Sequence, residues 1–313
     1  MRTSKAVRLS WFGGPEALQI DPVAIPQPHG DEVLVKVVAA SVNPVDYKMR
    51  EGQFPPLGED KLPVILGRDL AGTIEALGTD AHYMLSKGEA VFAMVDFDRG
   101  AQSDYVVVKA VELVAAPATL DPVHAAAVPL AAITAWQGLF DHGGLKDGQS
   151  VLIHGGAGGV GHFAVQLAKA RGASVFATAG ADDLDYLRTI GADIAIDYKD
   201  ERFEDVVNDV DLVFDLVGGE TQDRSFAVIR DGGTLVSTIA VAHPERGRER
   251  GIRVPDRWMA QANAAQLGEI AGLIDAGKVR VHVAETFPLE QVRAAYQALE
   301  KGHVRGKIVL TLA

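Results

Sequence analysis

The sequence predicts an α/β protein in which a doubly wound parallel sheet is joined to a separate β-rich domain. Three observations carry this expectation. From about residue 121 to residue 241, short apolar strand candidates alternate with helix-like stretches. One of those strands runs into a glycine cluster and then straight into a helical pattern. Roughly the first 115 residues lack this alternation and read as short strands punctuated by Gly and Pro.

The elements follow in order. Residues 33–38 form a β-branched run, and 72–77, 90–94 and 103–108 read as further strands. In the alternating region the strand candidates are 151–154, 174–178, 193–197, 211–217 and 234–238. Helices are expected between them at 160–171, 183–190 and 220–230. The strands show no polar alternation, as befits a sheet covered on both faces. A charge-rich loop spans 243–250, and a helix over 261–276 ends at Gly277, a C-cap residue. The tail reads as a strand at 279–283, a helix around 289–301 and a last strand at 307–312. This tail is expected to return to the first domain. The division is then a discontinuous domain, 1–121 and 277–313, with residues 122–276 inserted as a second domain.

Composition narrows the function classes. A chain of 313 residues with 48 % hydrophobic residues suits two domains with real cores. A net charge of -12 argues against nucleic acid or an anionic membrane as the main partner. Residues 1–10 lack the apolar run of a signal peptide, and no segment has the ~18 apolar residues of a membrane span. The expectation is a cytoplasmic protein acting on a small molecule. Cysteine is absent, which excludes disulfides, thiolate catalysis and iron–sulfur ligation.

Residues 151–161 read Val-Leu-Ile-His-Gly-Gly-Ala-Gly-Gly-Val-Gly. Gly156, Gly158 and Gly161 fit G-x-G-x-x-G, with Gly159 and Val160 inside the same turn. In that pattern one glycine permits the tight turn, one lets a pyrophosphate reach the backbone, and one lets helix and strand pack closely. Val160, Phe163, Ala164, Leu167 and Ala168 then share one helical face. The start of that helix offers N–H groups and a positive dipole end to phosphates. This context points to a dinucleotide site; a Gly-rich turn without a ligand is the plainer alternative.

Several segments together resemble the medium-chain dehydrogenase/reductase superfamily. They are residues 40–48 (Ala-Ser-Val-Asn-Pro-Val-Asp-Tyr-Lys), 66–72 (Leu-Gly-Arg-Asp-Leu-Ala-Gly), 132–136 (Ala-Ile-Thr-Ala-Trp), the glycine motif, and 305–310 (Arg-Gly-Lys-Ile-Val-Leu). The resemblance implies a GroES-like β-rich domain closed by the C-terminal tail, with a Rossmann domain inserted. Within the superfamily the chain resembles the zinc-independent quinone oxidoreductase branch, near zeta-crystallin and the plant enone reductases. Zinc-dependent relatives hold Cys where this chain has Asn43 and His where it has Arg68. Their four-Cys lobe is replaced here by a short turn at 96–100. An Arg side chain stays protonated and cannot ligate zinc. With no Lewis acid, the remaining chemistry is hydride delivery from a nicotinamide to an already electrophilic quinone or α,β-unsaturated carbonyl.

The cofactor is expected to be NADP(H). The second strand of the alternating region ends in Thr178, Ala179 and Gly180, with no carboxylate to repel a 2′-phosphate, and Thr178 could donate to one. The resemblance adds Tyr198 as a phosphate contact. Against this stand Asp182 and Asp183 close by, and the loss of a Lys that relatives carry in this loop. Val217, Gly218 and Ile239, at later strand ends, are further cofactor candidates, and so is Thr134, which the resemblance aims at the nicotinamide. Lys307 could reach cofactor or substrate from the tail, or merely begin the final strand.

The catalytic candidates are Asn43, Tyr47 and Lys48. Asn43 sits where relatives face the nicotinamide, although Asn before Pro44 is also a common turn residue. The Tyr47 hydroxyl could donate to the substrate oxygen as the enolate forms, or the ring could simply pack. Lys48 is a competing donor or a solvated charge. Asp46 is expected to be structural, paired with Arg68, and Asp69 structural as well. His154 reads as a strand-end residue, and no set of His residues suggests a metal. The leading expectation is a zinc-free, NADPH-dependent quinone or enone reductase. The alternatives are an enoyl-thioester reductase and a non-enzymatic NADPH-binding sensor or structural protein. Relatives pair through the edge of the Rossmann sheet, so a homodimer is expected.

Overall fold

The computed structural model describes residues 2–83 and 85–312. Two compact units emerge, one comprising Met1–Leu130, Ala262–Asp275 and Val281–Ala313, the other Ala131–Gln261 and Ala276–Arg280.

In the first unit, β1 (Thr3–Leu9) pairs antiparallel with β2 (Leu18–Ala24). The long β3 (Glu32–Val42) leads through Asn43 into α1 (Pro44–Arg50). Pro44 suits the first helical position, where no amide donor is needed. Next come β4 (Val64–Ile65), β5 (Asp69–Leu77), β6 (Ala90–Met94), β7 (Tyr105–Lys109) and β8 (Val114–Ala115). β3 is the hub of the sheet, pairing antiparallel with β5 and β7. α2 (Pro122–Ala126) packs on β3 and β5, which explains why β3 is buried along most of its length. The unit's core includes Val35, Val37, Leu70, Ile74, Val108 and Leu310.

α3 (Pro129–Trp136) continues without a break into a π-helical turn, Gln137–His142. Then β9 (Ser150–His154), β10 (Ser174–Ala179), β11 (Ile194–Asp197), β12 (Val210–Asp215) and β13 (Ile229–Ser237) form one parallel sheet. Its order is β11-β10-β9-β12-β13, so the chain reverses direction across the sheet between β9 and β12. In such sheets ligands bind at the carboxyl ends of the strands near that switch point. The helices between strands are α4 (Gly161–Ala170), α5 (Leu184–Thr189) and α6 (Gly219–Ser225).

The tail contributes α7 (Ala264–Asp275), β14 (Val283–Pro288), α8 (Val292–Glu300) and β15 (Lys307–Thr311). β15 adds to β3, and β14 pairs parallel with β15.

Three expectations need correction. The helix anticipated at 220–230 stops at Ser225, because the Val210 amide bonds the Val228 carbonyl and draws the chain into β13. The strand anticipated at 279–283 begins only at Val283. Before it, the Arg280 backbone is held at both ends by the Gln166 side chain, at 2.7 and 2.9 Å. Finally, residues 122–130 and 262–275 fall in the first unit, not in the inserted one, and residues 277–280 fall in the second unit, not with the tail. α7 packs against β8, and its Asp275 carboxylate accepts from the amides of Ala118 and Thr119.

Candidate active site

The glycine loop joins β9 to α4 at the switch point. Each glycine can be judged by what a Cβ would meet. Gly155 has φ +73 and makes the turn, a task the sequence pattern had given to the motif's own three glycines. A Cβ on Gly161 would lie 2.1 Å from the Gly155 carbonyl oxygen. A Cβ on Gly156 would lie 2.9 Å from the Cβ of Ala177 and 3.0 Å from Leu187. Both are glycine because strand, turn and helix pack on them. Gly158 differs: its hypothetical Cβ meets only the Gly155 carbonyl, at an ordinary 3.4 Å. No internal packing requires glycine there, so the room it leaves opens outward, as a pyrophosphate lying on the backbone would need. Gly159 and Val160 are half-buried in the same turn.

Other strand ends complete the rim. Tyr198, Val217 and Ile239 are 50, 52 and 41 % exposed. They follow the carboxyl ends of β11, β12 and β13, the edge at which such sheets bind ligands. Each lies beside a glycine: Tyr198 by Gly180, Val217 by Gly155, and Ile239 by Gly218. Ala179 is buried and its carbonyl accepts from the Tyr198 amide, holding that ring beside the end of β10. Thr134 is half-buried on α3. Asp182 and Asp183 stand in the short helical turn Ala181–Asp183 before α5.

Thr178 does not match its expected role. Its hydroxyl is buried, accepts from the Gly155 amide at 3.2 Å and meets His154 Nδ1 at 3.2 Å. It fixes the glycine turn and is not presented to a phosphate. His154 lies in the same chain of contacts. Ser225 Oγ gives its proton to the Thr221 carbonyl, so it accepts from His154 Nε2 at 3.0 Å, and Nδ1 is left to accept from Thr178. Burial pushes the His154 pKa down to about 4, in keeping with this neutral ring.

In the first unit Asn43, Ser41, Asp69 and Lys307 form one buried cluster. The Asn43 Nδ2 donates to Asp69 at 2.9 Å and to Ser41 Oγ at 3.3 Å. Its amide oxygen accepts from the Lys307 ammonium. Lys307 also lies 3.8 Å from Asp69, and burial lowers its pKa. Asp69 further accepts from the Leu130 amide at 2.7 Å. The Asn43 amide is thus engaged at both ends, and Lys307 both begins β15 and fills the cluster.

Asp46 and Arg68 do not pair directly. One Asp46 oxygen accepts from the Asn43 amide at 2.8 Å, closing the start of α1. The other is buried without a hydrogen-bond partner, and burial raises the carboxyl pKa to about 7. Arg68 donates to the Val95 carbonyl, and its guanidinium lies 3.7 Å from the centre of the Phe97 ring. Tyr47 is half-buried on α1, while Lys48, the next residue, is exposed. Burial raises the Tyr47 pKa, with the charges of Glu51 and Glu300 adding to it.

Some residues that shape the rim escaped the sequence reading. Asp215, Gln222 and Ser237 are buried and hydrogen-bonded to one another. The only signal was a polar residue closing each of two apolar strands.

A dinucleotide-type sheet with a glycine loop, carried with a β-rich unit closed by the tail, defines an oxidoreductase of the medium-chain type. Residues 29–118 match the alcohol dehydrogenase GroES-like domain, and residues 190–310 match the zinc-binding dehydrogenase family. The chain is 36 % identical to an NADPH-dependent alkenal/one oxidoreductase from Arabidopsis thaliana chloroplasts, over 98 % of this chain and 79 % of that one. The structure of a quinone oxidoreductase from Coxiella burnetii superposes with a TM-score of 0.92 at 33 % identity, covering all of both chains. A mycobacterial protein solved with NADPH superposes with a TM-score of 0.86 at 27 % identity, over 98 % of this chain and 99 % of that one. The chain belongs to the medium-chain dehydrogenase/reductase superfamily, in its quinone oxidoreductase branch.

Proposed function

We propose that this protein is an NADPH-dependent reductase of α,β-unsaturated carbonyls or quinones, and that it works without zinc. The observation that carries the reading is Gly158, a glycine that its own packing does not require, in a loop where Gly155 has a positive φ and Gly156 and Gly161 are fixed by close packing. The relatives named above act on alkenals and quinones or were solved with NADPH, which supports the same substrate and cofactor classes.

The residues present fit the cofactor. Gly158, Gly159, Val160 and the start of α4 would hold the pyrophosphate. The glycine and small-residue end of β10 at Ala179 and Gly180 presents no carboxylate to a 2′-phosphate, and Tyr198 would flank it. Val217, Gly218 and Ile239 would line the nicotinamide half. NADPH, when bound, supplies a hydride from the nicotinamide C4. The protein's part is then to orient the acceptor and to meet the charge that develops on its oxygen. Tyr47 keeps its proton because burial and the nearby Glu51 and Glu300 oppose its ionisation. Its hydroxyl would donate to the substrate oxygen. Lys48 is a second, solvated donor on the same helix.

Independence from zinc rests on what fills the two ligand positions. The Asn43 amide is committed to Lys307, Asp69 and Ser41, and the Arg68 guanidinium to Val95 and Phe97. The protein is further proposed to be a cytoplasmic homodimer, which fractionation and sedimentation would check. The deciding experiment follows NADPH oxidation with a panel of alkenals, enones and quinones and identifies each product. A saturated carbonyl marks an alkenal reductase, and a hydroquinone marks a quinone reductase. Cofactor binding without turnover on any acceptor would overturn the enzymatic reading in favour of a non-enzymatic NADPH-binding sensor or structural protein.

A further inference from the structure

Asp215 ends β12 and is fully buried. One of its oxygens accepts from the amides of Val217 and Gly218, at 3.0 and 2.9 Å. The other accepts from Gln222 Nε2 at 2.9 Å and from Ser237 Oγ at 2.8 Å. Gln222, on α6, also meets Ser237 Oγ at 3.1 Å, and its amide oxygen accepts from the Ala242 amide at 3.2 Å. Ser237, at the end of β13, accepts from the Ile239 amide at 3.0 Å. Three buried side chains from three elements therefore hold four backbone amides, two in each of two loops. Gly218, at φ +79, lies against the Ile239 side chain, so the loops also touch each other.

A carboxylate is costly to bury unless each oxygen is compensated, and here both are. Surface loops with no further task can leave such amides to water. These two loops are wired from beneath while Val217 and Ile239 stay open above.

We propose that Asp215 is the positioning residue of the cofactor's nicotinamide half, holding the loop at 217–218 directly and the loop at 239–242 through Gln222 and Ser237 in their binding geometry. The proposal rests on the reading that NADPH lies on this sheet edge. It predicts a chemically specific defect and a chemically specific repair. In Asp215→Asn the one amide oxygen can accept from only one of the two donor pairs, so the NH2 must face either the Val217 and Gly218 amides or Gln222 Nε2 and Ser237 Oγ, and Gln222 cannot turn over without losing Ala242. In the double variant Asp215→Asn with Gln222→Glu, donor and acceptor exchange places. The Asn NH2 then faces the new carboxylate, which still accepts from Ala242, and the Ser237 hydroxyl rotates to suit.

The test measures NADPH binding by nicotinamide fluorescence and, in cofactor-free protein, hydrogen exchange at the amides of Val217, Gly218, Ile239 and Ala242. Asp215→Asn is expected to weaken NADPH binding about tenfold and to speed exchange at those amides about tenfold, matching the loss of one buried hydrogen bond. The double variant is expected to restore both to within about threefold. A single variant that binds and exchanges like the unaltered protein would overturn the proposal while leaving the cofactor reading intact. So would a double variant no better than the single one, with both melting as the unaltered protein does. Failure of the unaltered protein to bind NADPH would overturn the cofactor reading and this proposal with it.

Discussion

The Lys307 ammonium donates to the Asn43 amide oxygen across a sequence separation of 264 residues. The contact ties the first residue of β15 to the residue that opens α1. It also places a buried cation beside Asp69, whose carboxylate takes hydrogen bonds from Ser41, Asn43 and the Leu130 amide. Replacing Lys307 with Met leaves that carboxylate and the amide oxygen without their cation, a change expected to cost about 3 kcal/mol. Asp69→Asn in the same background should recover part of the loss, because the charge left unpaired is gone. Urea unfolding of the two single variants and the double variant measures the coupling. Additive losses would show that Lys307 and Asp69 do not act as a unit.

The parallel sheet and the glycine loop between β9 and α4 were legible because they rest on local patterns. Apolar runs of strand length, helical spacing from Val160 to Ala168 and the glycine spacing all fall within a short window. What could not be read depends on distant partners. Asn43 looked like a residue facing a ligand, and nothing nearby in sequence reveals Lys307 as its partner. Thr178 looked like a phosphate donor until His154 and the Gly155 amide claimed its hydroxyl. The end of α6 shifted because pairing of Val228 with β12 overrode helical spacing. The division of the chain shifted because Asp275 caps the backbone at Ala118 and Thr119, more than 150 residues away.

Gly158 and Gly161 should respond in opposite ways to the same methyl group. In Gly161→Ala the new Cβ meets backbone at 2.1 Å, and a loss of about 3 kcal/mol or more is expected. In Gly158→Ala the nearest atom is at 3.4 Å, so stability should stay within about 0.5 kcal/mol of the unaltered protein. NADPH affinity should nevertheless fall at least about tenfold, because the methyl group occupies the space left for phosphate. Melting curves with and without NADPH separate the two effects. A Gly158→Ala protein that binds NADPH normally would remove the main support for the cofactor site.

Asp46 should make the protein less stable as pH rises. Its carboxyl is raised by burial from the ordinary 3.8 to about 7, so between those values the folded state holds a proton that the unfolded state has released. The contribution is neutral below pH 3.8, becomes unfavourable as pH climbs, and is complete above about 7. The size of that rise corresponds to at most roughly 4 kcal/mol, with the opposing charges of Lys307 and Arg68 already contained in it. Asp46→Asn keeps an acceptor for the Asn43 amide and cannot ionise. It should match the unaltered protein near pH 4 and exceed it in stability near pH 8, by urea denaturation at both pH values. Equal stability at pH 8 would show that Asp46 ionises freely in the folded protein.

Tyr47 and Lys48 are neighbours on α1 but differ in setting, one half-buried and the other exposed. If the Tyr47 hydroxyl donates to the substrate oxygen, Tyr47→Phe removes that donor without changing shape. The turnover number should fall about a hundredfold while NADPH affinity holds, and Lys48→Ala should change turnover by no more than about twofold. The pH profile supplies a second check. The Tyr47 pKa is raised above its ordinary 10.0, so the protonated donor persists through neutral and mildly alkaline pH. Turnover should therefore show no alkaline decline from this group until pH exceeds 10. A decline centred near pH 8 that vanishes in Tyr47→Phe would mean that the hydroxyl ionises far more readily than its surroundings allow. A decline that survives Tyr47→Phe but vanishes in Lys48→Ala would transfer the role to the lysine.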